Sequence, residues 1–263
     1  MSAVLLDLLR SRCRNGAALA FSGGCDSALL LAVLARLRQE KSFPLLAVHI
    51  QTPLQTAAEA ERCRKLADRF QVELLTLSPD VMTLPAVCAN SRDRCYHCKK
   101  TIFTALCRTA EAHQITLVMD GTNADDAKEY RPGRQALAEL GIFSPLAEAG
   151  LTKQDVRRLA EEYGLQEAFL PSSACLATRF PYDVPLTEEA LQRVASAEDF
   201  LRRFIAGQLR VRVHGDLARI EVEQQDFRTV IEAGGTITET FQKLGFSHVA
   251  LDLTGFRSGS FDT

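Results

Sequence analysis

A short corner of strand, glycine loop and helix constrains this chain more than any other feature. Residues 17–21 form an apolar run that reads as a short, buried parallel strand. The run ends directly in Ser22-Gly23-Gly24-Cys25-Asp26-Ser27. Residues 27–38 then read as a helix that is apolar on nearly every side, so neighbours must cover most of it. A buried strand, a tight glycine turn and a buried helix together make the first half of a parallel crossover unit.

The alternation continues along the chain. Strands are expected at 45–50, 72–77 and 115–119, with helices at 55–70 and 94–113 between them. The last of these strands ends at Asp120-Gly121-Thr122-Asn123. Ligands of such sheets sit at the carboxyl ends of the strands. The Ser-Gly-Gly loop, His49-Ile50-Gln51 and 120–123 all fall at such ends, and that convergence says more than any one motif. Residues 152–163 read as a helix capped by Thr152 and closed by Gly164. Residues 171–185 read as an ordered functional loop or a linker.

Beyond it the pattern changes. Thr187 caps a helix reaching about residue 204, with Glu188 and Glu189 in its first turn. Residues 209–214 and 218–222 flank a hairpin signal at His214-Gly215-Asp216. Residues 227–233 are helical, Gly234-Gly235 breaks that helix, and 248–253 make a last strand. The expected fold class is therefore α/β, an open parallel sheet with a smaller C-terminal α+β domain. The boundary is placed between 1–179 and 180–263.

The loop has the chemistry of a phosphate cradle. Its glycines bring backbone N–H groups close to phosphate oxygens, and the helix after it presents its N-terminus to the anion. Ser22 and Ser27 add hydroxyls, and Asp26 can orient the loop or hold Mg2+. No Gly-Lys-Ser/Thr follows, so this is not a loop that transfers a γ-phosphoryl group. The plain alternative is a corner that simply needs small residues. Cys25 reads as a small core residue.

Eight cysteines are many for 263 residues without a secretory signal. Residues 1–14 read as a short amphipathic helix interrupted by Asp7 and Arg10, not as a leader. A reducing, cytoplasmic setting is expected, and there the cysteines are not a disulfide framework. Cys95-Tyr96-His97-Cys98 places two thiols at a helix start beside Arg94, Lys99 and Lys100, which favour thiolates. With Cys175 they supply three thiolates, which suits a metal cluster with one iron left open. Zinc completed by His97, a redox pair and a persulfide on Cys175 are the competing readings. His97 lies between its own cysteine neighbours, which weighs against zinc. Cys13, Cys63, Cys88 and Cys107 read as core residues.

The loop resembles the PP-loop of the N-type ATP pyrophosphatases, whose fold is the adenine nucleotide α-hydrolase-like open sheet. A larger set resembles the LarE family. It comprises 22–27, Asp93-Arg94-Cys95-Tyr96-x-Cys98-Lys99, Asp120-Gly-Thr-Asn123, Tyr130-Arg131-Pro132-Gly133, Ser172-Ser-Ala-Cys175-Leu-Ala-x-Arg179 and Ala197-Glu198-Asp199. The resemblance implies an ATP-dependent sulfurtransferase that releases AMP and pyrophosphate. Its substrate is pyridinium-3,5-biscarboxylic acid mononucleotide, whose carboxylates become thiocarboxylates on the way to the nickel-pincer cofactor of lactate racemase. One branch of the family sacrifices its own cysteine. The other holds a [4Fe-4S] cluster on three cysteines, and this chain carries all three, as Cys95, Cys98 and Cys175.

The resemblance further implies catalytic roles for Cys175, Asp26 and Glu198. It implies ATP and Mg2+ contacts at Ser22, Gly23, Gly24, Asp26, Ser27, His49, Thr122 and Asn123. Arg94, Arg179 and Arg212 are the candidates for the substrate's phosphate and carboxylates, because guanidinium pairs with such groups bidentately. Arg131 and Arg134 are weaker candidates, and Glu221 on its strand defaults to a solvent-facing edge. A homo-oligomer and a nickel-insertion partner are implied as well.

Composition excludes some classes. No stretch is long and apolar enough to span a membrane. A net charge of −2 gives no argument for a nucleic-acid partner. A tRNA thiolase with a three-cysteine cluster remains the first rival reading. An amide-forming PP-loop ligase with structural zinc is the second, and a non-catalytic zinc-stabilised nucleotide sensor the third.

Overall fold

The computed structural model describes residues 3–126, 132–165 and 174–257. It divides into two compact units. The first comprises Met1–Thr52, Ala57–Val81 and Asp93–Ser172; the second comprises Pro53–Thr56, Met82–Arg92 and Ser173–Thr263.

The first unit is the open parallel sheet that the alternation predicts. Its chain order is α1 (Ala3–Arg12), β1 (Ala17–Ala20), α2 (Cys25–Glu40), β2 (Leu45–Ile50), α3 (Ala57–Arg69) and β3 (Glu73–Leu77). The second unit's α4 (Pro85–Cys88) intervenes, and α5 (Arg94–Ala112), β4 (Val118–Met119), α6 (Pro132–Glu139), α7 (Pro145–Glu148) and α8 (Lys153–Glu162) complete the first. The strands lie in the order β3-β2-β1-β4, all parallel. β1 is thus central, with Ala17 opposite Leu45 and Ala18 opposite Val118.

Alternate residues of β1 enter different cores. Ala17 and Leu19 join the leucines of α2, Leu5 and Leu9 of α1, and Val156 and Leu159 of α8. Ala18 joins Leu46, Val48 and Val118 with Phe103 and Leu106 of α5. Burial on both faces is why the strand reads as a continuous apolar run and not an alternating one. At α8 the Thr152 hydroxyl accepts from Asp155 N–H, and the Asp155 carboxylate accepts from Thr152 N–H, a full capping box.

The second unit holds α9 (Glu188–Leu201), β5 (Leu209–His214), β6 (Leu217–Val222), α10 (Phe227–Glu232), α11 (Gly234–Lys243) and β7 (His248–Leu251). β5 and β6 form the expected antiparallel hairpin, and β7 adds parallel to β6. Three stretches that a continuous boundary at 179/180 leaves in the first domain belong here: Pro53–Thr56, Met82–Arg92 and the residues from Ser173 to Arg179, Cys175 among them. Leu176 N–H donates to Leu54 O at 2.9 Å, and Leu186 N–H donates to Cys88 O at 2.7 Å. The Asn90 amide donates to Pro181 O at 2.7 Å.

Some local expectations change. Gly234-Gly235 ends one helix and also opens another, α11, whose Ile237 and Phe241 are buried. Burial of that apolar face outweighs the weak propensity of two glycines at a helix start. The strand expected over 115–119 shortens to Val118–Met119. Among the described residues, no helix is long and apolar enough to cross a membrane.

Candidate active site

The first unit builds an anion-binding corner around β1 and α2. Gly23 has φ +68°, and a Cβ placed there would come within 3.0 Å of Cys63 Sγ and 3.3 Å of Arg62 Nε. Only glycine meets both demands without strain. Gly24 is the extended residue preceding α2, so the first N–H groups of a 16-residue helix open onto the loop. The Ser27 hydroxyl donates to Gly24 O at 3.1 Å and lies 3.2 Å from Ser22 Oγ. Ser27 is buried, whereas Ser22 is exposed.

Asp26 is held from two sides. Its Oδ1 accepts from the Asn123 amide at 3.1 Å, and its Oδ2 pairs with the ammonium of Lys153. Gly121 approaches so closely that an added Cβ would lie 3.2 Å from both Asp26 Cβ and Ser27 N. Asp120 stiffens the same turn, accepting from Ser144 Oγ at 2.6 Å and Thr122 Oγ1 at 2.5 Å. Asn123 Oδ1 accepts from the N–H groups of Asp125 and Asp126. The strand-end residues therefore meet Asp26 as the topology predicts.

Lys153 is a site residue that the sequence reading missed. It lies 127 residues from Asp26. The available signal was its position, because a lysine in the first turn of a helix opposes the dipole and needs a compensating anion. Asp26 is that anion.

His49 is buried behind the loop. Its Nδ1 lies 3.2 Å from Phe21 O and 3.4 Å from Cys63 Sγ. Burial pushes the thiols of Cys63 and Cys13 up to about 12 and also raises those of Cys25 and Cys107. Cys13, Cys25 and Cys63 lie in the core, while Cys107 is half-buried and packs against it.

Cys95 and Cys98 are the second and fifth residues of α5, Cys95 exposed and Cys98 half-buried. Buried Arg94 begins the helix. His97 Nε2 lies 3.1 Å from Asp93 Oδ2, one turn back. A network ties α6 to this turn: Lys100 Nζ donates to Glu139 at 2.6 Å and to Tyr96 Oη at 2.8 Å. Tyr96 O–H donates to Glu139 at 2.8 Å. Lys100, then Tyr96 and Gln135, hold the Glu139 carboxyl down at about 2. Arg134 of α6 is half-buried, while Tyr130 and Arg131 lie outside the described residues.

Cys175 belongs to the second unit and is half-buried, and Cys88 lies in the same unit. Pro171, Ser172 and Ser173 lie outside the described residues. Arg179, only 1% exposed, directs Nε and one Nη onto both oxygens of Glu198 at 2.8 and 2.9 Å. Its other Nη donates to Ala174 O at 2.9 Å and Thr178 Oγ1 at 3.0 Å, with Cys175 O at 3.4 Å. The sequence reading offered this arginine to a substrate anion; in the structure Glu198 and the chain around Cys175 engage it.

Glu221 is 1% exposed and not at a solvent-facing edge. It accepts from Arg212 Nε at 3.0 Å and from Arg219 at 2.9 Å. Arg212 also donates to Thr178 O at 2.5 Å. Buried Arg210 on β5 has its pKa lowered to about 10, chiefly by burial and next by the charge of Arg179. Three buried arginines (Arg179, Arg210 and Arg212) thus accompany two buried glutamates.

The thiols of Cys95, Cys98 and Cys175 are all in no disulfide, and none is fully buried, so the donor chemistry suits an iron–sulfur cluster. Cys95 and Cys98 lie in the first unit and Cys175 in the second. Among the described residues no three His, Cys, Asp or Glu side chains are gathered into a metal-binding group. For Mg2+, Asp26 supplies the hard carboxylate oxygens that this ion prefers beside nucleotide phosphates.

A family model described as the PP-loop domain matches residues 2–131. An uncharacterized protein of Synechocystis sp. is 37% identical over 248 residues, covering 94% of this chain and 91% of its own. The pyridinium-3,5-bisthiocarboxylic acid mononucleotide synthase of Lactiplantibacillus plantarum is 34% identical over 240 residues, covering 91% of this chain and 86% of its own. An uncharacterized protein of Methanocaldococcus jannaschii is 32% identical over 240 residues, with coverages of 91% and 90%.

Proposed function

The chain belongs to the LarE family of PP-loop, ATP-dependent sulfurtransferases, and from that premise we propose that it acts on the carboxylates of pyridinium-3,5-biscarboxylic acid mononucleotide. The observation that carries the reading is the corner at 22–27, where glycine N–H groups, a helix N-terminus and Lys153 converge beside a carboxylate. Such a corner stabilises charge on a departing pyrophosphate.

The chemistry follows from what a carboxylate lacks. It is anionic, and its oxygen is a poor leaving group. Attack of a carboxylate oxygen on the α-phosphate of ATP expels pyrophosphate and leaves an acyl-AMP, which cures both faults. A sulfur nucleophile then adds to the acyl carbon, and AMP leaves with its electron pair. The N–H groups at 23–27 hold the phosphates, Lys153 offers its charge to them, and Asp26 is the carboxylate that would hold Mg2+. Arg94 is the guanidinium offered to the substrate's anionic groups, whereas Arg212, like Arg179, is engaged within the second unit by a glutamate and a backbone carbonyl. Cys95, Cys98 and Cys175 are the residues that would hold a [4Fe-4S] cluster, which when bound supplies sulfide. Thiolate ligands of this kind persist in a reducing compartment.

The test is anaerobic incubation with Mg-ATP and the dicarboxylate mononucleotide, followed by mass spectrometry of the substrate. Exchange of a carboxylate oxygen for sulfur with one AMP released per exchange is expected. ADP as the product, an amide in place of a thiocarboxylate, or turnover that depends on added tRNA would each overturn the reading.

A further inference from the structure

We infer that Arg179 and Glu198 are positioning residues that fix the backbone bearing the Cys175 thiol. The inference rests on the assignment of Cys175 to the sulfur site. Its physical content lies wholly within the second unit.

Cys175 sits at the start of a short 3₁₀ turn, Leu176–Arg179. Leu176 N–H is bound by Leu54 O at 2.9 Å, and Thr178 Oγ1 donates to Cys175 O at 2.8 Å. Arg179 closes the arrangement from beneath. One Nη reaches the carbonyls of Ala174 and Cys175, so the peptide on each side of the cysteine points an oxygen at one guanidinium. That guanidinium is fixed in turn by the bidentate pair with Glu198, the geometry that orients arginine best. Glu198 is aimed by its own helix, α9, and by β5, where Val211 N–H donates to Oε1 at 2.9 Å. The two side chains are 1% and 8% exposed. A guanidinium so enclosed meets no substrate unless the pair first breaks, and breaking a buried pair is costly. A chain of contacts therefore runs from the rigid hairpin through Glu198 and Arg179 to the cysteine backbone. A thiol that must deliver or ligate sulfur gains from such a mount, because small misplacements cost large factors in rate.

The test uses the full chain and three variants. R179K keeps the charge but cannot bridge a carboxylate and two carbonyls at once. E198Q removes the anion but keeps an acceptor for Val211 N–H. The R179M/E198Q double removes both charges, so no lone buried ion is left to unfold the protein. The first readout is made on the full chain after chelation of any iron, so that no thiol is metal-bound: alkylation of the Cys175 thiol by a neutral reagent, taken as the pH-independent limiting rate, with exposed Cys95 as internal reference. In the double variant the Cys175 rate should rise about tenfold, the effect of ~1.4 kcal/mol of easier local opening. The Cys95 rate and the melting temperature should stay near those of the wild type. The second readout is steady-state sulfur transfer, where kcat should fall while KM for ATP holds. R179K should lie between wild type and the double. A folded double variant with wild-type alkylation at Cys175 would overturn the inference. So would a rise in substrate KM with unchanged kcat, which would make Arg179 a substrate ligand. Should the wild type transfer no sulfur at all, the proposed reaction fails while the alkylation result still decides the clamp.

Discussion

Substituting Gly23 by alanine tests the anion corner through two separable costs. The first is conformational: φ is +68° at this residue, and an L-residue there costs roughly 1–2 kcal/mol. The second is steric, since the new Cβ would meet the buried Cys63 Sγ at 3.0 Å. Arg62 Nε at 3.3 Å belongs to a half-exposed side chain that can shift, at the loss of its 2.9 Å hydrogen bond to Gly23 O. Cys63 cannot, being fully buried against His49 and Phe21 O. Overpacking of this kind costs roughly 1–3 kcal/mol. G23A should therefore lose about 2–5 kcal/mol in urea unfolding, or relieve part of that by shifting the loop and losing ATP affinity. The cycle with C63A separates the terms. C63A alone should cost about 1 kcal/mol for the lost methylene-sized packing. In the double variant the steric cost disappears and the φ cost stays, so the two substitutions should couple favourably by ~1–3 kcal/mol. ATP affinity by calorimetry should recover in parallel. Strict additivity of the two single effects, in both stability and ATP binding, would refute the reasoning.

Lys153→Met should lower the rate of AMP formation about a hundredfold, the usual loss when one preorganised charge-stabilising group is removed; radiolabelled ATP turnover checks it. Glu139 titrates at about 2 when folded, against an ordinary 4.5. Its pairing with Lys100 is thus present above pH ~4.5 and lost as pH falls toward 2. The stability gap between wild type and E139Q should accordingly exist at pH 7, close in acid and shrink in high salt, as unfolding curves at several pH values would record. Cys95→Ala, purified anaerobically, should lose most of the about four irons expected of a cubane cluster. Iron and sulfide analysis measures this, and one zinc per chain in the wild type would replace the cluster reading.

Much of the first unit was legible because a sheet covered on both faces needs strands that are apolar throughout. Residues 17–21 and 45–50 say so plainly, and the glycine loop between strand and helix marks the strand end where ligands gather. The caps at Thr152 and Thr187 were legible for a local reason, since each hydroxyl bonds a backbone N–H three residues on. The short helices α6 and α7 were not, because four to eight residues carry too little periodicity to separate a helix from a loop. Lys153 was missed for the opposite reason. Its partner is far away in sequence, and nothing local announces which carboxylate will meet it.

The strands of the second unit show why charged residues mislead a reading by period alone. β5 runs Leu-Arg-Val-Arg-Val-His, and β6 carries Glu221 between apolar neighbours. Alternation of this kind normally means one wet face. Here Arg210, Arg212 and Glu221 are all nearly fully buried, and both faces of the hairpin are covered. Burial is tolerable because Glu221 binds two arginines and Arg212 also meets backbone carbonyls. The period therefore locates the strands but says nothing about which polar face is dry. Arg179 and Glu198 are likewise dry, and they meet each other and the peptide of Cys175. A hydrophobic isostere could fill the same volume and often gives equal stability. Only a guanidinium held by a carboxylate can also aim several N–H groups at neighbouring carbonyls, so the charges here serve geometry more than stability.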